Sequence, residues 1–485
     1  MLTLLLILFP ALAVLVFFVV PTNSARNIAL IASVIELCLA FGAYSVHNSD
    51  PKSDLLSLNV PWIETLGMSF HIAIDGISTL MVMLTAGLVP LIIWSSFGSE
   101  IKKPKAFYAL ILLMQMALVG VFVAMDGFLF YVFWELALIP IYFICLLWGG
   151  EGRARITFKF FLYTLFGSLF MLAALIYLYL HTATKTFDIQ ALYEAGRGLD
   201  CTQQCFVFWA LFLAFAIKMP IFPFHTWQPD TYTNSPTQGT MLLSGIMLKM
   251  GTYGLLRWLM PVVPMALHCY GKFAIVLAVI SIVYASCIAI VQKDFKRMIA
   301  YSSIAHVGLI AAGLLAFNAQ GVQGALIQMI SHGINVVGLF FICDIIMRRT
   351  GTDHIASLGG IRGVAPQFAL LFLIVLLGSV ALPLTNGFIG EFLLINGVYQ
   401  YDFWLAVFAG LTIILGAVYM LRGYQSMMLG EAKAITASFA DISGHEKWIL
   451  IVIAILVLAI GVYPKPILDL TANDVQTLID SVKSY

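Results

Sequence analysis

Charged residues are scarce in this sequence, and their scarcity limits what kind of protein it encodes. Only 10% of the 485 residues are Asp, Glu, Lys or Arg, and 61% are apolar. A soluble domain carries about 25% charged residues. The formal net charge is +1, so there is no basic excess of the kind that binds nucleic acid. The composition therefore predicts an integral membrane protein with no nucleic-acid partner.

Motifs that hold redox cofactors and metals are also missing. The seven cysteines include no Cys-x-x-Cys pair, which argues against zinc or iron–sulfur ligation. Cys201 and Cys205 are close enough in sequence for a disulfide, but we expect free thiols. The dinucleotide-binding glycine fingerprint is absent as well. We therefore expect the chain itself to bind no metal, flavin, cluster or NADH.

Long apolar runs dominate what is present. Runs of about 20 apolar residues are typical of membrane-spanning helices. Fourteen such segments lie near 3–21, 27–46, 74–95, 106–124, 128–148, 157–181, 205–223, 238–260, 272–291, 298–317, 321–346, 366–397, 403–428 and 447–464. The first lacks a basic n-region and a clear cleavage site, so it is interpreted as a retained helix. The predicted fold class is all-α, a polytopic membrane protein of about 14 transmembrane helices.

Two of the segments are interpreted as broken at a proline. Pro220 interrupts the seventh segment, and Pro383 interrupts the twelfth. Proline removes a backbone donor and breaks a helix, and broken backbone at membrane depth must be buried in protein or line a wet cavity. The sequence therefore predicts two broken helices.

The two breaks lie 163 residues apart, which indicates an internal duplication. Adding 163 to the residue numbers of segments four to eight gives positions close to those of segments nine to thirteen. Each unit then has five helices, and an odd number predicts inverted repeats, a pattern typical of transporters. The expected divisions are 1–105 (helices 1–3), 106–260 (first repeat), 261–428 (second repeat) and 429–485 (last helix and tail).

Basic residues predict the orientation, because Lys and Arg accumulate on the cytoplasmic side. Loops after odd-numbered helices carry Arg26, Lys102, Lys103, Lys105, Arg153, Arg155, Lys159, Lys293, Lys296, Arg297, Arg348, Arg349, Arg362, Lys433 and Lys447. Loops after even-numbered helices, with the C-terminus, carry only Lys52, Lys185, Arg197, Lys272, Lys465 and Lys483, and Arg257 lies near a helix end. We therefore expect both termini to face away from the cytoplasm.

Several ionisable residues lie inside the apolar segments, where each charge costs at least about 2.5–3.5 kcal/mol. They are, in chain order, Glu135, Lys218, Lys249, His306, His332 and Glu391. Burial disfavours a charged lysine and a neighbouring carboxylate favours it, so such a pair can load and release a proton. A histidine can take a proton on one nitrogen and give one from the other. The series therefore predicts a path for protons.

Each of these residues also has a structural alternative. Lys218 could extend to the headgroups, Glu135 and Lys249 could hold the bundle together, His306 and His332 could bond across helices, and Glu391 could cap the broken helix.

Other ionisable residues are expected to lie outside the path. Glu36 is interpreted as structural or as a contact with a partner. His71 and Asp75 are expected to cap a helix or form an interface, and Asp344 is expected to pair with Arg348 at spacing i, i+4.

Two long motifs carry a family resemblance. They are KMPIFPFHTWQPDTYTNSPTQGTMLLSGIMLKMGTYGLLR at 218–257 and QKDFKRMIAYSSIAHVG at 292–308. With them the chain resembles, over essentially all fourteen segments, the antiporter-like subunits of respiratory complex I, the proton-pumping NADH:quinone oxidoreductase. It is most similar to the subgroup called subunit M, or chain 4 in mitochondria. Glu391 stands where subunits L and N usually carry a lysine, and the long C-terminal lateral helix of subunit L is not expected.

The resemblance implies roles for the buried residues. Glu135 and Lys218 would pair on helices five and seven, Lys249 would be the central relay, His306 and His332 would continue it, and Glu391 would be the distal site. One departure is visible, because Gln228 and Tyr232 replace residues of the family's Leu-Pro-Asp-Ala-His pattern. That change affects the expected loop contacts and none of the proposed carriers.

The resemblance also implies the setting. NADH, FMN, iron–sulfur clusters and quinone would be bound by other subunits, and the neighbours would be the antiporter-like subunits L and N, with lipid around them, in a bacterial inner membrane. A cation/proton antiporter subunit, a membrane-bound hydrogenase subunit and a structural spacer are the alternatives.

Overall fold

The computed structural model describes residues 1–483, and most of them are helical. In lipid, every backbone polar group has to be satisfied inside the segment, so apolar runs fold as helices. The first third forms α1 (Leu2–Val19), α2 (Ala25–Ser49), α3 (Gly76–Ser95), α4 (Pro104–Val123), α5 (Gly127–Trp148) and α6 (Arg153–His181). The middle forms α7 (Ile189–Arg197), α8 (Cys201–Lys218), α9 (Gln228–Asn234), α10 (Thr237–Leu242), α11 (Leu248–Gly254) and α12 (Pro264–Ile290). The remainder forms α13 (Phe295–Leu315), α14 (Ala319–Thr350), α15 (Ile361–Val364), α16 (Pro366–Ser379), α17 (Asn386–Tyr401), α18 (Phe403–Met428), α19 (Gly444–Val462) and α20 (Lys465–Lys483).

Within the described residues, 12 helices are long and apolar enough to cross a membrane. They are α1 to α6, α8, α12 to α14, α18 and α19. The prediction of an all-helical polytopic membrane protein is therefore confirmed. Two further apolar segments, 237–259 and 366–401, consist of shorter helices. The expected fourteen crossings require both of these segments to span as well.

Both predicted breaks lie where the prolines stand. α8 ends at Lys218, and the next helix begins only at Gln228, with Pro220 between them. α16 ends at Ser379, and α17 begins at Asn386. Pro383 lies in that second interruption.

A further interruption was not predicted. Two π-helical turns, Leu243–Met247 and Leu255–Leu259, flank α11 in the segment that the sequence indicated as one helix. The apolar pattern of this segment carries no proline to mark the change. Such π turns occur frequently at functional sites, and here they flank the helix that carries Lys249.

One local arrangement occurs twice in the chain. Asp126, just before α5, forms an antiparallel bridge with Asp188, which follows α6. Asp294, just before α13, forms the same bridge with His354, which follows α14. Each bridge is flanked by two backbone hydrogen bonds of 2.8–3.0 Å.

The segment between α2 and α3 contains an antiparallel hairpin, where the sequence indicated only a polar loop. Its strands are β1 (Ser57–Ile63) and β2 (Met68–Ala73), with Ser57 opposite Ala73. His71 Nδ1 lies 2.8 Å from Asp188 Oδ2, which ties the hairpin to the loop after α6. The hydrogen bond with His71 holds the pKa of the Asp188 carboxyl below its usual range. His71 does not cap α3, because Asp75 does, and an interface role for His71 stays a prediction.

The expected tail after the last span is helical. α20 packs against α3 and α14, and Asp474 on α20 accepts a hydrogen bond of 2.6 Å from Gly76 N at the start of α3. The side chain of Lys483, counted among the basic residues, lies outside the described part of the chain, as does Tyr485.

Gly461 on α19 provides a test of how tightly the second break is held. A Cβ at this position would lie 2.4 Å from Leu384 O and from the Thr385 carbonyl carbon, which belong to the break between α16 and α17. We expect Gly461→Ala to destabilise the protein by about 1–3 kcal/mol through overpacking, measured as a lower thermal midpoint of the purified protein. Gly410→Ala is the control, because nothing lies within 4 Å of its added Cβ. Equal midpoints for the two variants would contradict the packing described.

Candidate functional site

Lys249 lies at the centre of the bundle and is 1% exposed. Its Nζ donates to the Ser244 carbonyl at 2.8 Å and lies 2.8 Å from His332 Nδ1 on α14. The carbonyl is five residues earlier in the chain, inside the first π turn. A lysine ammonium can only donate. When Lys249 is charged, His332 therefore accepts at Nδ1 and carries its own proton on Nε2.

The contacts continue from His332 to Glu391. The rings of His332 and His306 have centroids 5.9 Å apart, and His306 Nδ1 lies 3.0 Å from Glu391 Oε1. His306 Nδ1 and Glu391 Oε1 are close, but their geometry is not that of a hydrogen bond. Glu391 is 1% exposed and also accepts from Gln328 Nε2 at 3.4 Å. Lys249, His332, His306 and Glu391 thus form one contact series, which we call the central series.

Glu135 and Lys218 form a second cluster. Lys218, the last residue of α8, is 2% exposed, and its Nζ lies 5.2 Å from the centre of the Trp134 ring, within the range of a cation–π contact. Lys218 is also within electrostatic reach of Glu135 on α5. Among the described residues, Lys218 Nζ and Glu135 Oε1 make no hydrogen bond. The two side chains are therefore close enough to interact electrostatically but do not form a hydrogen bond.

The central series and the Glu135–Lys218 cluster are separate in this structure. No hydrogen bond in residues 1–483 links Lys218 to Lys249. Their helices are nevertheless in direct contact, since a Cβ at Gly251 on α11 would lie 2.5 Å from Met219 Cγ. The series predicted from the sequence is thus present as two clusters on touching helices.

Two groups that contact the central series were not predicted from the sequence. The Ser244 carbonyl lies inside the first π turn and accepts from Lys249 Nζ, and this turn left no recognisable signal in the sequence. Gln328 did leave one, because it lies four residues before His332 on α14 and so on the same face of the helix.

The other ionisable residues lie apart from the two clusters. Asp75 caps the start of α3 and pairs with Arg257, and Asp344 bonds Arg348 Nε at 2.8 Å, so both predictions are confirmed. Glu36 is fully buried, and neither of its carboxylate oxygens has a hydrogen-bond partner among the described residues. All seven cysteines are free thiols. In the part of the chain that the structure covers, no three His, Cys, Asp or Glu side chains form a metal-binding group.

Residues 124–416 match a protein family described as NADH:quinone oxidoreductase/Mrp antiporter, transmembrane. The chain belongs to this family. The match covers more than half of the sequence and includes all six residues of the two clusters. The resemblance inferred from the two motifs is thereby confirmed.

Relatives are similar over almost the whole chain. NADH-quinone oxidoreductase subunit M of Rickettsia conorii is 41% identical over 419 residues, which are 86% of this chain and 85% of that protein. NADH-ubiquinone oxidoreductase chain 4 of Arabidopsis thaliana is 35% identical over 485 residues, 99% of this chain and 97% of that protein. A chain of respiratory complex I from Thermus thermophilus has the same fold, with a TM-score of 0.92, 30% identity, and coverage of 99% of this chain and 100% of that one.

A double-mutant cycle tests whether Glu135 and Lys218 act on each other. Removing one partner leaves a buried charge uncompensated, so Glu135→Gln and Lys218→Met should each destabilise the protein. The double variant should recover part of the loss, with a coupling free energy of about 0.5–3 kcal/mol, measured by denaturation of the purified protein. Glu36→Gln combined with Lys218→Met is the control, since Glu36 forms no ion pair in the described chain, and its effects should add. A coupling near zero for Glu135 and Lys218 would show that the two charges are independent.

Proposed function

We propose that this chain is a proton-translocating subunit of the membrane arm of an NADH:quinone oxidoreductase, of the subunit M type. The observation that carries the proposal is the central series, four ionisable side chains in succession inside the apolar bundle. Buried ionisable groups are costly in a membrane protein and mark ion or proton pathways. Membership of the family and the likeness to a complex I chain support the same function.

The geometry supports a specific order of proton steps. Glu135 stabilises the charged form of Lys218, so a change in their separation loads or releases the Lys218 proton. A proton leaving Lys249 Nζ is taken by His332 Nδ1 across 2.8 Å, while His332 gives up its Nε2 proton towards His306. His306 then passes a proton from Nδ1 to Glu391 Oε1 across 3.0 Å. After the passage both histidines are neutral but carry the proton on the other nitrogen, so both must return to the first tautomer before the next proton passes.

The free energy for transport would come from other subunits. We expect NADH, FMN, the iron–sulfur clusters and the quinone to be bound there, and none of them in this chain. Subunits L and N, with lipid, are the proposed neighbours in a bacterial inner membrane. The distribution of basic residues supports periplasmic termini.

We further propose fourteen spans, with inverted repeats at 106–260 and 261–428, an N-terminal part at 1–105 and a last helix and tail at 429–485. The repeated backbone bridge supports this, because Asp126 and Asp294 occupy equivalent places before the second helix of each unit. If the segment 237–259 also crosses, the chain crosses five times between these two bridges, which puts them on opposite faces. That is the relation expected of inverted repeats.

Single substitutions in the assembled complex test the function. Lys218→Ala, Lys249→Ala and Glu391→Ala should each lower proton translocation, because each removes a protonatable group from the path. Proton uptake by membrane vesicles would be measured beside NADH-driven quinone reduction. Lys102→Ala, at an exposed loop position, should leave both rates unchanged. If all three variants translocate as many protons per quinone reduced as the wild type does, these residues do not carry protons.

The family also contains Mrp antiporters, so a subunit of a cation/proton antiporter, or of a membrane-bound hydrogenase, is the alternative. A sodium-dependent proton flux that persists without any redox partner would favour it. A third alternative is a structural spacer. Loss of assembly without loss of translocation per assembled complex in the same variants would favour the spacer.

A further inference from the structure

A funnel lined by apolar and basic side chains lies beside the second unit and takes no part in the steps above. Its volume is about 580 Å³, and it lies where α12 ends, α13 begins and α18 ends. Lys293, His354 and Arg422 line it, and Tyr419 lies in its wall. Lys293 belongs to a loop that the distribution of basic residues assigns to the cytoplasmic face.

Tyr419, in the wall of the funnel, contacts α13, the helix that carries His306. Tyr419 is only 2% exposed, and its hydroxyl lies 2.9 Å from Ser302 Oγ on α13. Ser302 is four residues before His306 on the same helix, so the two side chains share a face. The Tyr419 hydroxyl is also within electrostatic reach of Glu391. The two hydroxyls therefore lie between the funnel and the His306–Glu391 pair.

We propose that Tyr419 and Ser302 form a hydroxyl relay that carries protons between this funnel and the His306–Glu391 pair. The proposal rests on the proposed proton-translocating function and adds a second place of access to the path. It departs from the simplest expectation for inverted repeats, in which the second unit opens only to the face opposite the first. Here the distal carboxylate is reached from the basic face.

The relay needs no oxidant and no net change at either hydroxyl. A hydroxyl both donates and accepts a hydrogen bond. Tyr419 accepts a proton on its oxygen from water in the funnel and gives its own proton to Ser302 Oγ. Ser302 gives its proton to the His306–Glu391 pair, and both hydroxyls end neutral. The reverse order returns a proton to the funnel.

Another tyrosine on the same helix shows what a purely structural hydroxyl looks like. Tyr424 donates to the Ala369 carbonyl at 3.0 Å, and a carbonyl can only accept. That hydrogen bond joins α18 to α16 and leads no further. Tyr419 instead meets a second hydroxyl, which can pass a proton on.

Removing each hydroxyl while keeping the packing tests the relay. In the assembled complex, Tyr419→Phe and Ser302→Ala should each slow proton translocation relative to quinone reduction by at least about ten-fold, a smaller loss than the roughly 10²–10⁴-fold that a positioned proton-transfer group contributes. Ser302→Thr restores a hydroxyl and should recover a large part of the loss. Tyr424→Phe is the matched control on α18 and should keep the wild-type ratio. The amount of assembled complex is measured for every variant, so that loss of folding is not mistaken for loss of transport.

Glu391→Gln separates failure of the relay from failure of the proposed function. If Glu391→Gln loses translocation while Tyr419→Phe and Ser302→Ala keep the wild-type ratio, the relay is wrong and the function stands. If Glu391→Gln also keeps the ratio, Glu391 carries no proton and both the relay and the path through Glu391 are wrong. An equal loss in Ser302→Thr and Ser302→Ala would also contradict a relay, because the loss would then follow the change in shape rather than the hydroxyl.

Discussion

The hydrogen bond between Lys249 and His332 is the interaction on which the rest of the structure depends. An ammonium group inside an apolar bundle is unstable without acceptors, and Lys249 finds two of them at 2.8 Å, the Ser244 carbonyl and the imidazole. The same bond fixes which nitrogen of His332 carries the proton when the lysine is charged. The His332 ring in turn lies 5.9 Å from the His306 ring, centroid to centroid. The bond thus stabilises the buried charge at one end of the central series.

The contacts of both clusters lie at interruptions of the helices. Lys249 Nζ donates to the Ser244 carbonyl inside the first π turn. The first proline break ends α8 at Lys218, so that a lysine lies at a helix end inside the bundle. The second break lets α17 begin deep in the protein and carry Glu391 to His306. Backbone of this kind is tolerated at membrane depth only where protein or a wet cavity surrounds it.

Much of this arrangement could be predicted from the sequence, because its signals are coarse and strong. Long apolar runs indicate the spans, and prolines indicate both breaks. The buried ionisable residues stand out because a charge inside an apolar segment costs free energy. The π turns, the hairpin between α2 and α3 and the helical tail were missed, since none of them has a distinctive composition. Contacts such as His306 with Glu391 join residues 85 positions apart. They depend on how α13 packs against α17, which no local pattern records.

The central claim is that one proton path joins the two clusters, although no direct contact links Lys218 and Lys249 in this structure. The most direct test is electron cryomicroscopy of the assembled complex during turnover, at a resolution that shows ordered water. We predict a chain of water molecules between the two lysine Nζ atoms in at least one state. Dry apolar packing between them in every state would contradict the account.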